Sequence, residues 1–254
     1  MAPEQRETDA LVIGCQDYRD SDKILTLLTR DYGRISCIAK GAKKSKKRFV
    51  NKLEFYSFLH ITFTDYPNRS LGFLNEAELH TSFIQIRNSA SLYIFSSIIQ
   101  EVLLQSTRER EADFSLFQVS LWALHNLNEQ LPPETVLTLF LLRLYDILGY
   151  RPGFSSCLQC GAKTDNNLNF HFHIQSGEII CTRCNKQSSN RHLLQGTIKF
   201  LATAQNQPVE KLHRIKAEKK IIKEALHLLH HYGRNILQRD IIAWRMLKQS
   251  EKSL

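Results

Sequence analysis

The chain has 254 residues, 43 % of them hydrophobic and 23 % charged, which excludes a disordered or fibrous polymer and leaves room for one large domain or two to three small ones. A formal charge of +9 at pH 7 and a pI near 9.3 favour an anionic partner, either nucleic acid or an acidic protein segment. The polar opening, residues 1–7, lacks a signal-peptide pattern, and the most apolar run, residues 136–148, contains Arg143 and Asp146 and is too short to span a bilayer. A cytoplasmic protein with no membrane segment is therefore expected.

The first eighty residues read as short strands between turns. Residues 10–15 are a compact β-forming run, and residues 23–30 fit a helix or a strand. Asp31-Tyr32-Gly33 then turns the chain into residues 34–40, a hairpin for which Gly33 supplies backbone freedom. In that second strand Ile35, Cys37 and Ala39 share one face. A longer strand over residues 53–64 groups Phe55, Leu59, Ile61 and Phe63. Pro67-Asn68 is a turn, and residues 71–79 form a last strand. Five strands in this length predict a small closed barrel, with the OB-fold as leading candidate. Cys15 and Cys37 sit in apolar strand contexts and read as buried thiols rather than nucleophiles.

Between the third and fourth strands lies the most polarised stretch of the chain. Residues 40–52 carry Lys40, Lys43, Lys44, Lys46, Lys47, Arg48 and Lys52 and no acid. Such a run is either a solvated loop or a platform for a phosphate backbone; Arg34, on the outward face of the preceding strand, would extend the platform. Phe49, Tyr56 and Phe58 would stack on bases or belong to the core. Gly41-Ala42-Lys43-Lys44-Ser45 lacks the full phosphate-loop pattern, which argues against nucleotide hydrolysis there.

From Thr81 the periodicity becomes helical. Residues 83–105 read as one helix with Phe83, Ile86, Ala90, Ile94, Ile98 and Val102 on its stripe. Asp113 caps the next helix, striped by Phe114, Phe117, Leu121 and Leu124. Pro132-Pro133 starts a third and Gly149 stops it. This third helix is apolar nearly all round, the mark of a central element. Further helices are expected over residues 194–204 and 215–237. His227, His230 and His231 on the latter fit no metal motif and read as a surface cluster.

Between these helices stand Cys157-x2-Cys160, twenty intervening residues, and Cys181-x2-Cys184. Two Cys-x-x-Cys turns at the ends of a hairpin, residues 169–180 with a Ser176-Gly177 turn, bring four thiolates together as structural zinc requires. Two disulfides or free thiols are the alternatives, and His171 or His173 would be a substitute fourth ligand. Four thiolates leave no vacant position for water, so such a centre is a structural clasp holding the hairpin to the helices.

The stretch Tyr18-Arg19-Asp20-Ser21-Asp22-Lys23 through Asp31-Tyr32-Gly33-Arg34-Ile35, followed by Ala39-Lys40-Gly41-Ala42, resembles the N-terminal signature of the bacterial RecO recombination mediators. That family places an OB-fold before a helical domain that often carries a four-cysteine zinc motif, the order seen here. The likeness departs at Asp20, where Glu is usual, at the dense Lys46-Lys47-Arg48 cluster, and at Ile236-Leu237-Gln238-Arg239, which lacks the family's Ser. It implies an α+β fold: a five-stranded OB barrel over residues 1–80, then a helical domain over 81–254 with a zinc-binding hairpin inserted at about 153–190. It implies binding of single- and double-stranded DNA, strand annealing without ATP, and contact with RecR and single-strand-binding protein. It also implies assistance to RecA, nucleoid association and no enzymatic step. DNA contact is expected at Arg34, Lys40, Lys43, Lys44, Lys46, Lys47, Arg48 and Lys52, and zinc at Cys157, Cys160, Cys181 and Cys184. A basic adaptor for acidic tails and an unrecognised nucleic-acid-processing enzyme are the other readings.

Overall fold

A computed structural model describes residues 3–66, 69–164, 168–186 and 191–250, with side chains as far as Leu247. The expected Pro67-Asn68 turn lies outside the described residues, as do short parts of the insertion between the cysteine pairs. The chain divides into two compact units, one of Met1–Tyr93 with Val102–Asn128 and the other of Ile94–Glu101 with Glu129–Leu254.

The first unit is built on β1 (Glu4–Tyr18), β2 (Asp22–Thr29), β3 (Gly33–Ala39), β4 (Phe58–Asp65) and β5 (Leu71–Thr81). They close in the order β1-β2-β3-β5-β4, antiparallel except for the parallel β3–β5 pair, which is the OB-fold. Alternation explains the closure. Ile35, Cys37 and Ala39 point inward with Leu25 and Leu27, Leu59, Ile61 and Phe63, and Leu74 and Ala77 to fill the barrel. Burial pushes the Cys37 thiol up to about 12 and raises the half-buried Cys15 as well, so neither is an activated nucleophile. Gly33 turns the β2–β3 hairpin at φ 66°, a conformation that favours glycine.

Two sequence expectations need correction here. The strand expected from residue 53 begins at Phe58, because Tyr56 adopts φ 67° and breaks the pleat. Tyr56 is buried as a result, its N–H donating to the Val12 carbonyl at 2.9 Å, while Phe55 is only partly covered. The helix expected over residues 83–105 is two, α1 (Ile84–Asn88) and α2 (Ala90–Ser106). Ser89 is extended between them and its hydroxyl caps α2 by accepting from the Leu92 N–H at 3.4 Å. Phe83, Ile86, Ile98 and Val102 are buried as the stripe expects, but the break turns Ala90 outward and adds Leu92, Phe95 and Ile99 to the buried face.

In α3 (Phe114–Asn128) the Asp113 carboxylate accepts from the Leu116 N–H at 3.0 Å, as a cap should. The stripe runs through Leu116, Phe117, Val119, Ala123 and Leu124, and Phe114 stays exposed. The second unit centres on α4 (Pro133–Ile147), buried on nearly every side and packed on α5 (Gln195–Gln205) and α6 (Lys219–Leu237). A last helix, α7 (Ile242–Ser250), is not among the expected elements, although Ala243, Trp244 and Leu247 recur at helical spacing and are buried. Arg143 and Asp146 form a local ion pair at 3.7 Å, Arg143 also donating to the Gln205 carbonyl at 2.7 Å.

Candidate nucleic-acid interface and metal centre

The basic segment is a loop with fixed ends rather than a free strand of charge. At its start the Asp22 carboxylate accepts from the Gly41 N–H at 2.8 Å, and the Lys43 N–H donates to the Ser21 carbonyl at 2.9 Å. The Gly41 N–H first, and then the Ser21 hydroxyl that donates to the same carboxylate at 2.9 Å, hold the Asp22 carboxyl below the usual carboxylate range. At its far end Phe49 and Leu53 insert into the barrel core, and the Ser45 hydroxyl accepts from the Phe49 N–H at 2.9 Å. Between these anchors a 3-10 turn, Ala42–Lys44, presents its lysines.

Lys40, Lys43, Lys44, Lys46, Lys47 and Arg48 are exposed. Lys43 lies 3.0 Å from Asp17, Lys40 sits over the Phe73 ring at 4.5 Å, and Arg48 donates to the Lys40 carbonyl at 2.6 Å and covers Phe49. Two cations are turned to other work. Arg34 donates to the Leu104 carbonyl at 2.8 Å near the C-terminus of α2, and Lys52 donates to the Ala77 carbonyl at 2.7 Å. Of the aromatics, Phe49 and Tyr56 are core, and Phe58 packs against His80 and Phe117. Burial closes Phe49 and Tyr56 to base stacking.

In the second unit β6 (Phe170–His173) and β7 (Glu178–Cys181) form the expected hairpin about Gly177, and β8 (Arg191–Leu193) adds a third strand beside β6. Alternation along β6 buries Phe170 and Phe172 and leaves His171 and His173 half-covered. Phe172 packs on Phe154 and on Tyr232 of α6, and Tyr232 packs in turn on Tyr145 of α4. The hairpin is thus stitched to both helices through four aromatic rings.

At its end the sulfurs of Cys157, Cys160, Cys181 and Cys184 all lie within 4.8 Å of one another. The Cys160 and Cys181 sulfurs are 3.7 Å apart. Thiolates at about 2.3 Å around a tetrahedral ion stand roughly 3.8 Å apart, so the set fits zinc. The turns are closed by the Gly161 N–H on the Cys157 carbonyl and the Cys184 N–H on the Cys181 carbonyl. The Cys181 N–H donates to the Cys157 sulfur at 3.3 Å. Burial alone would raise the Cys157 thiol, but N–H groups of Cys181, Cys160 and Gln159 outweigh it and bring it to about 6. Cys184, which shares protons with Cys160 and Cys181, is pushed up to about 12. Four sulfurs packed this way resist ionising together, and a divalent cation removes that conflict. The two histidines lie off this cluster: His171 packs on His192, and His173 bonds Ser176 at the hairpin turn.

Of the α6 histidines expected as a surface cluster, His227 is exposed, His231 is half-covered and His230 is in the core. His230 is buried and stacked on Trp244, while His227 meets Arg191 and, at 3.2 Å, His231. The Glu224 carboxylate accepts from the Leu194 N–H at 3.0 Å and from the Thr197 hydroxyl, fixing the start of α5.

Residues 1–83 match the family description "Recombination protein O N terminal", and residues 87–244 match "Recombination protein O C terminal". The chain belongs to the RecO family. Among curated RecO proteins it is similar to the DNA repair protein RecO of Caldanaerobacter subterraneus subsp. tengcongensis, 31 % identical over 237 residues that cover 92 % of this chain and 94 % of that one. It is also similar to the RecO of Listeria monocytogenes serotype 4b, 30 % identical over 76 % of this chain and 74 % of the other. The RecO of Bacillus pumilus is 28 % identical over 89 % and 87 % of the two chains. RecO membership and the OB barrel join the N-terminal signature to its geometry: Asp22 and Gly41, nineteen positions apart in that signature, meet to hold the basic loop. That pairing had no local signal, because each residue reads separately as a turn former. No helix among the described residues is long and apolar enough to cross a membrane.

Proposed function

We propose that this RecO-family chain acts in DNA repair as a recombination mediator: it binds single- and double-stranded DNA and anneals complementary strands without ATP. With RecR it helps load RecA onto DNA coated by single-strand-binding protein. The DNA repair role rests on the family; the finer steps rest on the resemblance and on one observation, the anchored loop that presents Lys40, Lys43, Lys44, Lys46, Lys47 and Arg48. Two strands repel each other through their phosphates. A fixed cationic surface that displaces counterions lowers that repulsion, and this work needs neither a nucleophile nor a nucleotide. Arg34 and Lys52 flank the surface, their heads already bonded to backbone carbonyls.

The division of labour we infer assigns DNA to the barrel, residues 1–80, and a supporting role to the helical part, 81–254, with its insertion at about 153–190. Cys157, Cys160, Cys181 and Cys184 would hold a structural zinc ion that supplies cross-linking of the hairpin rather than reactivity. The protein would work in the cytoplasm, at the nucleoid. Fluorescence-monitored annealing without ATP tests this reading, comparing wild type with a variant in which Lys43, Lys44, Lys46, Lys47 and Arg48 are alanine. Each phosphate contact contributes about 0.7–0.9 to the log–log salt slope, so the variant should lose about 4 from the slope together with its annealing. An unchanged slope would move the interface elsewhere, and tighter capture of an acidic peptide than of DNA would favour the adaptor reading.

A further inference from the structure

The barrel carries a second cluster of metal-ligating groups, far from the cysteines in sequence. Asp9 of β1, His60 of β4 and His80 of β5 each offer one donor atom, and the three atoms lie within 4.8 Å of one another. Asp9 and His60 are direct cross-strand partners, so their side chains leave the sheet side by side. His80 arrives by a different device. The β4–β5 ladder pairs Phe58 with Thr81 and then Leu59 with Leu79, leaving His80 as the extra residue of a bulge. Bulges re-aim side chains, and this one brings the His80 ring to the same carboxylate.

We propose that Asp9, His60 and His80 form a binding site for a divalent transition-metal ion of the zinc class. His60 Nδ1 is 2.9 Å and His80 Nε2 3.3 Å from Asp9 Oδ1. Donors at about 2.0–2.1 Å from one ion stand roughly 2.9 Å apart in an octahedron and 3.4 Å apart in a tetrahedron, and the two separations span that range, as the edges of one distorted polyhedron do. Two imidazoles and one carboxylate suit zinc, cobalt or nickel, and leave positions for water or a further ligand. The surroundings support the site. The donors sit on three strands of a closed barrel, which fixes them better than a loop would. Asp9 is held from behind, its carbonyl accepting from the Arg30 N–H at 2.9 Å and its second carboxylate oxygen 4.0 Å from the Arg30 guanidinium. The His80 ring rests on Phe58. The side chains of His60 and His80 are 42 % and 41 % exposed, so an ion can reach them from solvent.

The test counts metal in the full-length protein. Wild type and the His60→Gln/His80→Gln variant are stripped with chelator, loaded with zinc, dialysed against metal-free buffer and assayed for zinc per chain. Wild type should retain one ion more than the variant, whether or not the cysteine cluster retains its own. Replacing His171 and His173 by Gln should leave the wild-type count unchanged. Equal zinc in wild type and the His60→Gln/His80→Gln variant would overturn the proposal and leave the three groups as a hydrogen-bonded cluster. Should the double variant fold poorly, His80→Gln alone decides the matter by calorimetric zinc titration: the affinity of one site should fall more than about tenfold, and an unaltered isotherm overturns the site.

Discussion

The basic loop and the cysteine hairpin solve the same problem with opposite chemistry. Each is an excursion of irregular chain that has to be held still. The loop is held by hydrogen bonds and two apolar plugs, Asp22 on Gly41 at one end and Phe49 with Leu53 in the barrel at the other, while its charges face water. The hairpin buries its inward face on Phe154 and Tyr232, the latter backed by Tyr145, and gathers four sulfurs at its open end. One device leaves cations displayed to water; the other turns its sulfurs toward one another. What a segment displays is set by where its anchors lie.

The comparison breaks most readily at the cysteines. Cys160→Ser or Cys181→Ser should cost on the order of 4 kcal/mol, because the proposed zinc would couple metal binding to hairpin folding. Urea denaturation measures this, and DNA affinity at fixed salt should change less than about twofold. A stable variant that loses DNA binding would reverse the roles of the two regions.

Gly177→Ala probes the same clasp from its turn. Gly177 has φ 71°, and a Cβ there would run into the Tyr232 ring, whose hydroxyl donates to the Tyr150 carbonyl at 3.1 Å. Left-handed strain and overpacking together should cost about 2–4 kcal/mol, read as a lower thermal midpoint.

On the barrel side Asp65→Asn sharpens the contrast. Arg110, donating to Asp65 at 2.7 Å, holds that buried carboxyl below the usual carboxylate range. A depressed folded pKa contributes stability that is present above the unfolded value of about 3.9 and is lost as the pH falls through the folded one. The variant should therefore be about 1–2 kcal/mol less stable at pH 7, a figure discounted for the half-exposed Arg110, and should converge with wild type at lower pH. Chemical denaturation from pH 2 to 7 checks the sign.

The smallest effect is expected from Asp22→Ala. It should speed hydrogen exchange at the Gly41 amide and weaken DNA binding less than the five-alanine variant does, with the salt slope preserved. A slope that falls as far as in the five-alanine variant would mean that Asp22 organises the whole surface.

Much of this was legible in residues close together in the chain. The alternation of Ile35, Cys37 and Ala39, the cap at Asp113, the all-round apolar α4 and the paired Cys-x-x-Cys turns are local patterns, because strand pleat, helix period and metal-turn geometry repeat over a few residues. Local pattern failed where one residue overrode its neighbours. Ser89 offered a cap in mid-stripe and split a helix, and Tyr56 took a left-handed backbone that ended a strand early. The exposed charge of the basic loop was equally plain, but whether Phe49 faced bases or core was not, since only the closed barrel provides a cavity for it.

The sequence by itself determined the order of a strand-rich first part and a mainly helical second part, the concentration of positive charge in residues 40–52 and the set of four sulfurs, all of which follow from order and spacing. Only the tertiary structure decided that Arg34 turns to the Leu104 carbonyl, that Asp22 holds Gly41, and that Asp9, His60 and His80 meet. Those contacts join residues separated by 19 to 71 positions, and barrel closure, not periodicity, sets which of them become neighbours.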